Sequence, residues 1–393
     1  MDSKFKSELD NLLSENATTL KNRINSAFDQ LNNKHKNSIV LFGAGNLGKK
    51  VLNSLRDLGI EPIALSDNNP LVWGKNIEGI KVLSPHDVVQ WFGTSATFII
   101  TIWNAEGKNG FLSTREQLST MGCKNIVSFI PLFWKYSKTF LPYYCIDLPH
   151  KIIEQKKDVR KVLSLWEDDT SREEYVSQLR WRMHLDFDSL SEPENYEQYF
   201  PDDIFASSSE EVFVDCGAFN GDTIRIFLER QSNTFSKIFA LEPDPMNFNK
   251  LLRFISTLDD TLRAKVILLE AAAGEYKQKV NIEVTGTTSS SIGAGKYAID
   301  CIPLDDLFYD EIPTFIKMDI EGYELEALAG ASKIINRHNP ILAISVYHHP
   351  DHLWSIPLYI NSLTDNYHLF LRSHGQEGWD LICYAIPHNR LRA

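Results

Sequence analysis

The sequence predicts an α/β protein built from two Rossmann-like domains joined by a helical connector. Three observations predict it. The strand-like run Glu211–Cys216 feeds a glycine-rich turn, Gly217-Ala218-Phe219-Asn220-Gly221, that opens a helix. An earlier run, Ile39–Phe42, feeds Gly43-x-Gly45-x-x-Gly48, which also opens a helix. From residue 211 onward strand-like and helix-like segments alternate, the order that makes a parallel sheet covered by helices. At 393 residues the chain is also too long for one ordinary core.

Bulk properties narrow the function. A net charge of −12 argues against nucleic acid or an anionic membrane as the main partner. The five cysteines contain no C-x-x-C pair, so free thiols in a reducing compartment are expected. Met1–Lys6 opens no signal-peptide core, and the longest apolar runs, such as Ala96–Trp103, have strand length. These features predict no membrane span and a cytoplasmic location.

Residues 1–36 read as one N-terminal helix. Phe5, Leu9, Leu12, Leu13, Leu20, Ile24, Phe28 and Leu31 recur at three- and four-residue steps. The stripe either packs on its own domain or serves self-association, which would make a homodimer.

Residues 37–144 read as the first Rossmann-like domain, of nucleotide- or sugar-nucleotide-binding type. After the helix opened by Gly43, Gly45 and Gly48, a strand at Pro62–Leu65 ends near Asp67, at the spacing of a ribose-binding acid in dinucleotide folds. Strand, helix and strand follow at Ala96–Trp103, Thr114–Met121 and Asn125–Phe129. Asn68–Val82 resembles the small Rossmann-like domains attached to glycan- and sugar-nucleotide-modifying proteins. No Tyr-x-x-x-Lys pair follows, so a binding or structural module is favoured over an oxidoreductase.

Residues 145–210 form the polar, mostly helical connector. Its charge-rich tract from Gln155 to Arg182 reads as a solvated helix face. Tyr199-Phe200-Pro201 either covers the cleft of the next domain or packs in its core.

Residues 211–393 form the second domain. Strands are expected near 211–216, 237–242, 265–270, 314–319 and 340–347, then a hairpin of 368–372 and 381–386. This is the order of the class I methyltransferase fold, a mostly parallel seven-stranded sheet with an antiparallel last strand. Its ligand binds where strand order reverses.

Asp215-Cys216-Gly217-Ala218-Phe219-Asn220-Gly221-Asp222-Thr223, Leu241-Glu242-Pro243, Ala271–Gly274, Pro303–Leu307 and Lys317-Met318-Asp319-Ile320-Glu321-Gly322-Tyr323-Glu324 stand in the order seen in FkbM-type methyltransferases. The resemblance covers about residues 195–390, and the Lys-x-Asp-x-Glu-Gly-x-Glu element is its most specific part. It implies S-adenosylmethionine as methyl donor and usually a hydroxyl acceptor on a sugar, glycan or polyketide-type natural product.

On that footing the cofactor residues are Asp215, Gly217, Asn220, Gly221, Asp222, Glu242, Pro243, Ala272 and Asp319. Gly217 and Gly221 let backbone approach the ligand. Asp215 and Asp222 suit the methionine ammonium and ribose side. Glu242 suits a grip on the two ribose hydroxyls, and a loop at Ala271–Gly274 approaches the adenine. An alcohol acceptor must lose its proton, which calls for a base or a metal. His348 and His349 are the candidate bases, with Asp319 and Lys317 beside them. Asp319, Glu321 and His348 are the candidate ligands of a divalent metal, which no ligand spacing demands.

Several alternatives stay open. Glu321 and Glu324 are also favoured at a helix start by the dipole, and the histidine pair also reads as a hydrogen-bonded strand end. Thr287–Ser291 is either a polar hairpin or an acceptor-side loop. For the whole chain the alternative to an enzyme is a nucleotide- or sugar-nucleotide-binding scaffold or sensor with a non-catalytic methyltransferase fold.

Overall fold

The computed structural model describes residues 3–32, 38–104, 110–194, 196–287, 292–293, 295–308 and 311–392. It has two main sheets and a small side sheet. The first sheet holds β1 (Ile39–Phe42), β2 (Ala64–Ser66), β3 (Asn76–Ile77), β4 (Ile80–Leu83), β5 (Thr97–Ile100) and β6 (Ile126–Ser128). Their order is β3-β4-β2-β1-β5-β6, parallel except for β3.

The second domain begins with β7 (Val212–Cys216), β8 (Lys237–Leu241) and β9 (Val266–Leu269). A three-stranded side sheet follows, made of β10 (Ala271–Ala273), β11 (Gln278–Ile282) and β12 (Tyr297–Ile302). The main sheet then resumes with β13 (Phe315–Met318), β14 (Ile341–Ser345), β15 (Tyr367–Ser373) and β16 (Leu381–Pro387). The spatial order is β15-β16-β14-β13-β7-β8-β9, and β16 runs antiparallel to both neighbours. This is the predicted class I arrangement. Every residue of β7, β13 and β14 is buried, as expected for central parallel strands covered on both faces. Strand order reverses between β7 and β13, so a crevice opens beyond their carboxyl ends.

The N-terminal segment differs from the single predicted helix. It forms two helices, Ser3–Leu12 and Ala17–Asn32. Asn16 caps the second through its side-chain oxygen, which accepts the Thr19 N–H at 2.9 Å. Phe5, Leu9 and Leu13 pack into the second domain's core. Leu20, Ile24 and Phe28 pack into the first domain's core. Most of the apolar stripe is thus consumed inside the chain, split between two cores, with Leu31 left exposed.

The connector also departs from expectation. Its longest helix, Asp169–His184, is buried nearly all round. Trp181 belongs to the first domain's core, while Tyr175, Val176, Leu179 and Met183 belong to the second's. A helix covered on all sides has no solvent face to alternate with an apolar one, so its polar residues pair internally instead. Gln178 donates to Glu174 at 2.8 Å, and the Ser171 hydroxyl accepts the Leu371 N–H at 2.9 Å.

Among the described residues, no helix is long and apolar enough to cross a membrane.

Candidate active site

The crevice is a cavity of about 730 Å³. Gly217, Phe219, Asp222, Glu242, Pro243 and Ala272 line one side, and Lys317, Asp319, Glu321 and Tyr347 line another. Trp103 and Asn104, beyond β5 of the first domain, close it together with Trp379 and Asp380 of the last hairpin.

The glycine turn is braced from beneath. Lys317 is buried, with Nζ 2.9 Å from Asp215 Oδ1, and it donates to the Gly217 carbonyl at 2.8 Å. Burial opposes its charge, yet the Asp215 and Asp319 carboxylates hold its pKa above the usual lysine value. Burial pushes Asp215 up to about 6, against the pull of Lys317. Asp215 and Lys317 therefore form one buried ion pair that fixes the turn. Asp215 is fully buried under the turn and is not on the cavity wall, unlike the expected direct contact.

Gly217 has φ +81°, and a Cβ there would run into the Asp319 carbonyl oxygen. The space its hydrogen leaves admits the end of β13, so the glycine lets two strand ends meet. A Cβ on Gly221 would strike the Phe254 ring in the same way. Both glycines are required for packing against protein, and Gly217 also lines the cavity while Gly221 does not. Asn220 accepts the Asp222 N–H at 3.1 Å and shapes the turn without lining the cavity.

Glu242 is the best-placed acid for a diol. Its Oε2 accepts the Phe219 N–H at 2.8 Å and its Oε1 accepts the Asp244 N–H at 2.9 Å. The two amides fix the carboxylate at the cavity wall, and each oxygen keeps further acceptor capacity. Burial raises its pKa to about 7. Ala272 lies on the wall as well, but in strand β10 of the side sheet instead of the expected loop. Of the Thr287–Ser291 segment, Thr287 lines the cavity, and residues 288–291 lie outside the described residues.

Asp319 stands at the opposite rim. Tyr199 donates to its Oδ2 at 2.7 Å and Tyr347 to its Oδ1 at 3.3 Å. The connector segment thus divides its tasks: Tyr199 faces the cleft, while Phe200 packs on Phe213, Phe227 and Phe315. Tyr199 thus follows the cleft-covering alternative, whereas the sequence analysis names neither Trp379 nor Asp380. Asp380 is hydrogen-bonded by Gln198 and Tyr347, and burial and Asp319 push it up to about 6.

The two histidines part company. His348 is buried, with Nδ1 2.8 Å from Glu324 Oε1 and Nε2 3.3 Å from Asp319 Oδ1 and 3.8 Å from Glu321 Oε1. Burial disfavours its cation, but Glu324, Asp319 and Glu321 outweigh this and raise its pKa to about 10. An imidazole so strongly protonated is a poor base at neutral pH. His349 turns away and lines a separate cavity of about 240 Å³ with Arg182 and Trp354. The structure therefore brings neither histidine to the cleft as a base.

Glu324 lies at the helix start, as the dipole favours, and it also pairs with a histidine. Its Oε1 accepts the Ile320 N–H at 3.0 Å at the helix start and also meets His348. Burial pushes Glu321 up to about 7, and its backbone sits at φ +54°, an uncommon conformation for a side chain of this kind.

In the first domain, Gly43, Gly45, Gly48 and Asp67 do assemble into one turn. Asp67 Oδ2 accepts the Ala44 N–H at 2.6 Å and Oδ1 accepts the Asn69 N–H at 2.8 Å. Gly43 and Gly48 lie against Thr101 and each other, while a Cβ on Gly45 would meet open space. None of the four lines the crevice.

Residues 215–377 match the family described as Methyltransferase FkbM domain. Among solved structures, the chain is similar to methyltransferase FkbM from Methylobacillus flagellatus KT. That likeness has a TM-score of 0.76 and 23% identity, over 97% of this chain and 98% of that one. At that identity it shows a shared fold over both domains. Weaker likenesses include a putative rRNA-methylase from Clostridium thermocellum, with TM-score 0.32 and 10% identity over 47% of this chain and 88% of that one. Precorrin-6y C5,15-methyltransferase from Geobacter metallireducens GS-15 gives TM-score 0.30 and 14% identity, over 46% and 81%. A search of curated proteins found no match. The family implies S-adenosylmethionine as cofactor, and the fixed Glu242 carboxylate at the wall of a cavity of about 730 Å³ has the acceptor chemistry that its ribose requires. Fold, crevice and family match agree: residues 215–377 carry a Methyltransferase FkbM domain, and that domain supports a methyltransferase function.

Proposed function

We propose that the chain is an O-methyltransferase that uses S-adenosylmethionine to modify a hydroxyl of a sugar, a glycan or a related natural product. One observation carries the choice of acceptor. Trp103 of the first domain and Trp379 of the second lie 4.8 Å apart at the cavity mouth, beside Asp319 and Asp380. Aromatic faces suit the C–H faces of a sugar ring, and carboxylates accept its hydroxyl protons. Residues of both domains meet at this mouth, so acceptor recognition is assigned to the domain boundary.

S-adenosylmethionine, when bound, supplies the activated methyl group. Glu242, Pro243, Asp222 and Ala272 are the residues assigned to hold it. Asp319, fixed by Tyr199 and Tyr347, orients the acceptor side of the rim. We assign the acceptor's proton to Asp380, whose buried carboxyl has a pKa of about 6 and lines the same cavity. Neither His348 nor His349 lines that cavity. Five free, buried cysteines fit the cytoplasmic setting we propose.

Calorimetry with S-adenosylhomocysteine, followed by mass spectrometry of a sugar and glycan acceptor panel, tests the reading. We expect binding that Glu242→Ala removes. Trp379→Ala should raise the acceptor KM at least ~10-fold with the cofactor still bound. Cofactor binding with no methylated hydroxyl in any acceptor would favour the non-catalytic sensor instead.

A further inference from the structure

The acid cluster behind the cleft has an arrangement that methyl transfer by itself does not require. His348 is 6% exposed, and its Nε2 has no hydrogen-bond partner among the described residues. That nitrogen nevertheless points at two carboxylates, with Asp319 Oδ1 at 3.3 Å and Glu321 Oε1 at 3.8 Å. On the other side of the ring, Nδ1 meets Glu324 Oε1 at 2.8 Å. A carboxylate on one ring nitrogen, with the other nitrogen left facing further acids, is the pattern by which proteins orient a metal-binding histidine.

We infer that Asp319, Glu321 and His348 Nε2 form a site for one divalent cation, oriented from behind by Glu324. Two segments of the fold supply it: the loop after β13, with Asp319 and the positive-φ Glu321, and the segment after β14, with His348. The strained backbone at Glu321, φ +54°, acquires a reason, because it directs this carboxylate to the cavity that Asp319 also lines. Two carboxylates and one imidazole favour a cation that accepts mixed oxygen and nitrogen ligands. Mn²⁺ meets that description better than Ca²⁺. Three protein ligands leave open positions towards the cavity, where a cation would lower the pKa of an acceptor hydroxyl. This role in turnover rests on the reading proposed above; the binding itself does not.

The experiment is calorimetric titration of metal-stripped full-length protein with MnCl₂, alongside electron paramagnetic resonance of the free ion. One equivalent should bind the wild type. Asp319→Asn and Glu321→Gln should each abolish the saturable binding. Glu324→Gln, which changes the group behind the histidine but keeps an acceptor for the Ile320 N–H, should weaken it by ~10–100-fold. S-adenosylhomocysteine binding by the two Glu variants is the folding control, since neither residue is assigned to the cofactor. Absence of one-equivalent binding in the wild type, or undiminished binding in Glu321→Gln, would overturn the site. S-adenosylhomocysteine binding without Mn²⁺ binding would refute the cation and leave the methyltransferase reading standing. Mn²⁺ binding without cofactor binding would do the reverse.

Discussion

The carboxylate of Glu377, in the last hairpin of the second domain, accepts the backbone N–H of Phe111 in the first domain at 2.5 Å. Phe111 begins the helix Phe111–Thr120, whose N-cap residue, Gly110, offers no side-chain acceptor. The second domain therefore caps a helix of the first. Trp103 strengthens the same junction by donating its indole N–H to the Glu377 carbonyl at 3.0 Å. Replacing Glu377 by Ala should cost about 1–2 kcal/mol, as for loss of a cap. Glu377→Gln, which keeps an acceptor, should cost less. Urea denaturation of the two variants checks the order.

Ionisation of Glu242 should make stability fall as pH rises. Burial raises its folded pKa from 4.5 to about 7. The folded state then holds this proton more tightly than the unfolded chain. Its stabilisation is complete below about pH 4.5 and is lost as pH climbs through about 7. The melting temperature of Glu242→Gln should accordingly show a flatter decline than the wild type between these limits. An unchanged slope would mean that the carboxyl titrates normally in the folded state.

Two glycines that look alike in sequence should behave differently. Gly217→Ala places a Cβ against the Asp319 carbonyl at a positive φ, so we expect a loss above ~2 kcal/mol or failure to fold. Gly45→Ala meets open space at φ −76°, so a change within about 1 kcal/mol is expected. Thermal melts of both variants decide the comparison.

Lys317→Met leaves Asp215 buried without its counter-charge, and the expected cost is about 3–5 kcal/mol. Adding Asp215→Asn should restore much of that loss, because the orphaned charge is then gone. Chemical denaturation of the two single variants and the double variant gives the coupling directly. Additive losses would show that the pair does not act as a unit.

The fold was largely legible because the central strands are unbroken apolar runs. Val212–Cys216 and Ile341–Ser345 are buried on both faces, so neither needed an alternating pattern to be recognised. Ala271–Ala273 escaped because three alanines carry little strand signal, and β12 supplies the pairing. The helix Asp169–His184 escaped because polar residues paired inside a junction resemble polar residues in water.

The cofactor side of the site was legible from its glycines and acids. The acceptor side was legible only in Tyr199, as one of two alternatives, since Trp379 and Asp380 come from a hairpin loop with no periodicity to read. The histidine pair shows a further limit. Neighbours leaving a strand tend to point to opposite sides, so His348 and His349 could hardly share one rim, and they do not.

The split anchoring of the N-terminal helices also bears on assembly of the chain during synthesis. Phe5, Leu9 and Leu13 are made before any strand of the second domain, yet they pack in the core those strands build. This helix rests on the connector helices Lys156–Leu163 and Asp169–His184, which reach their place in that core only when its strands form, while its neighbour at Leu20, Ile24 and Phe28 docks on the first domain. The early domain thus holds one end of a tether whose other end closes only when the late domain folds. Cutting the chain between residues 13 and 17 would release that end, exposing the apolar face of the connector helices on which it rests.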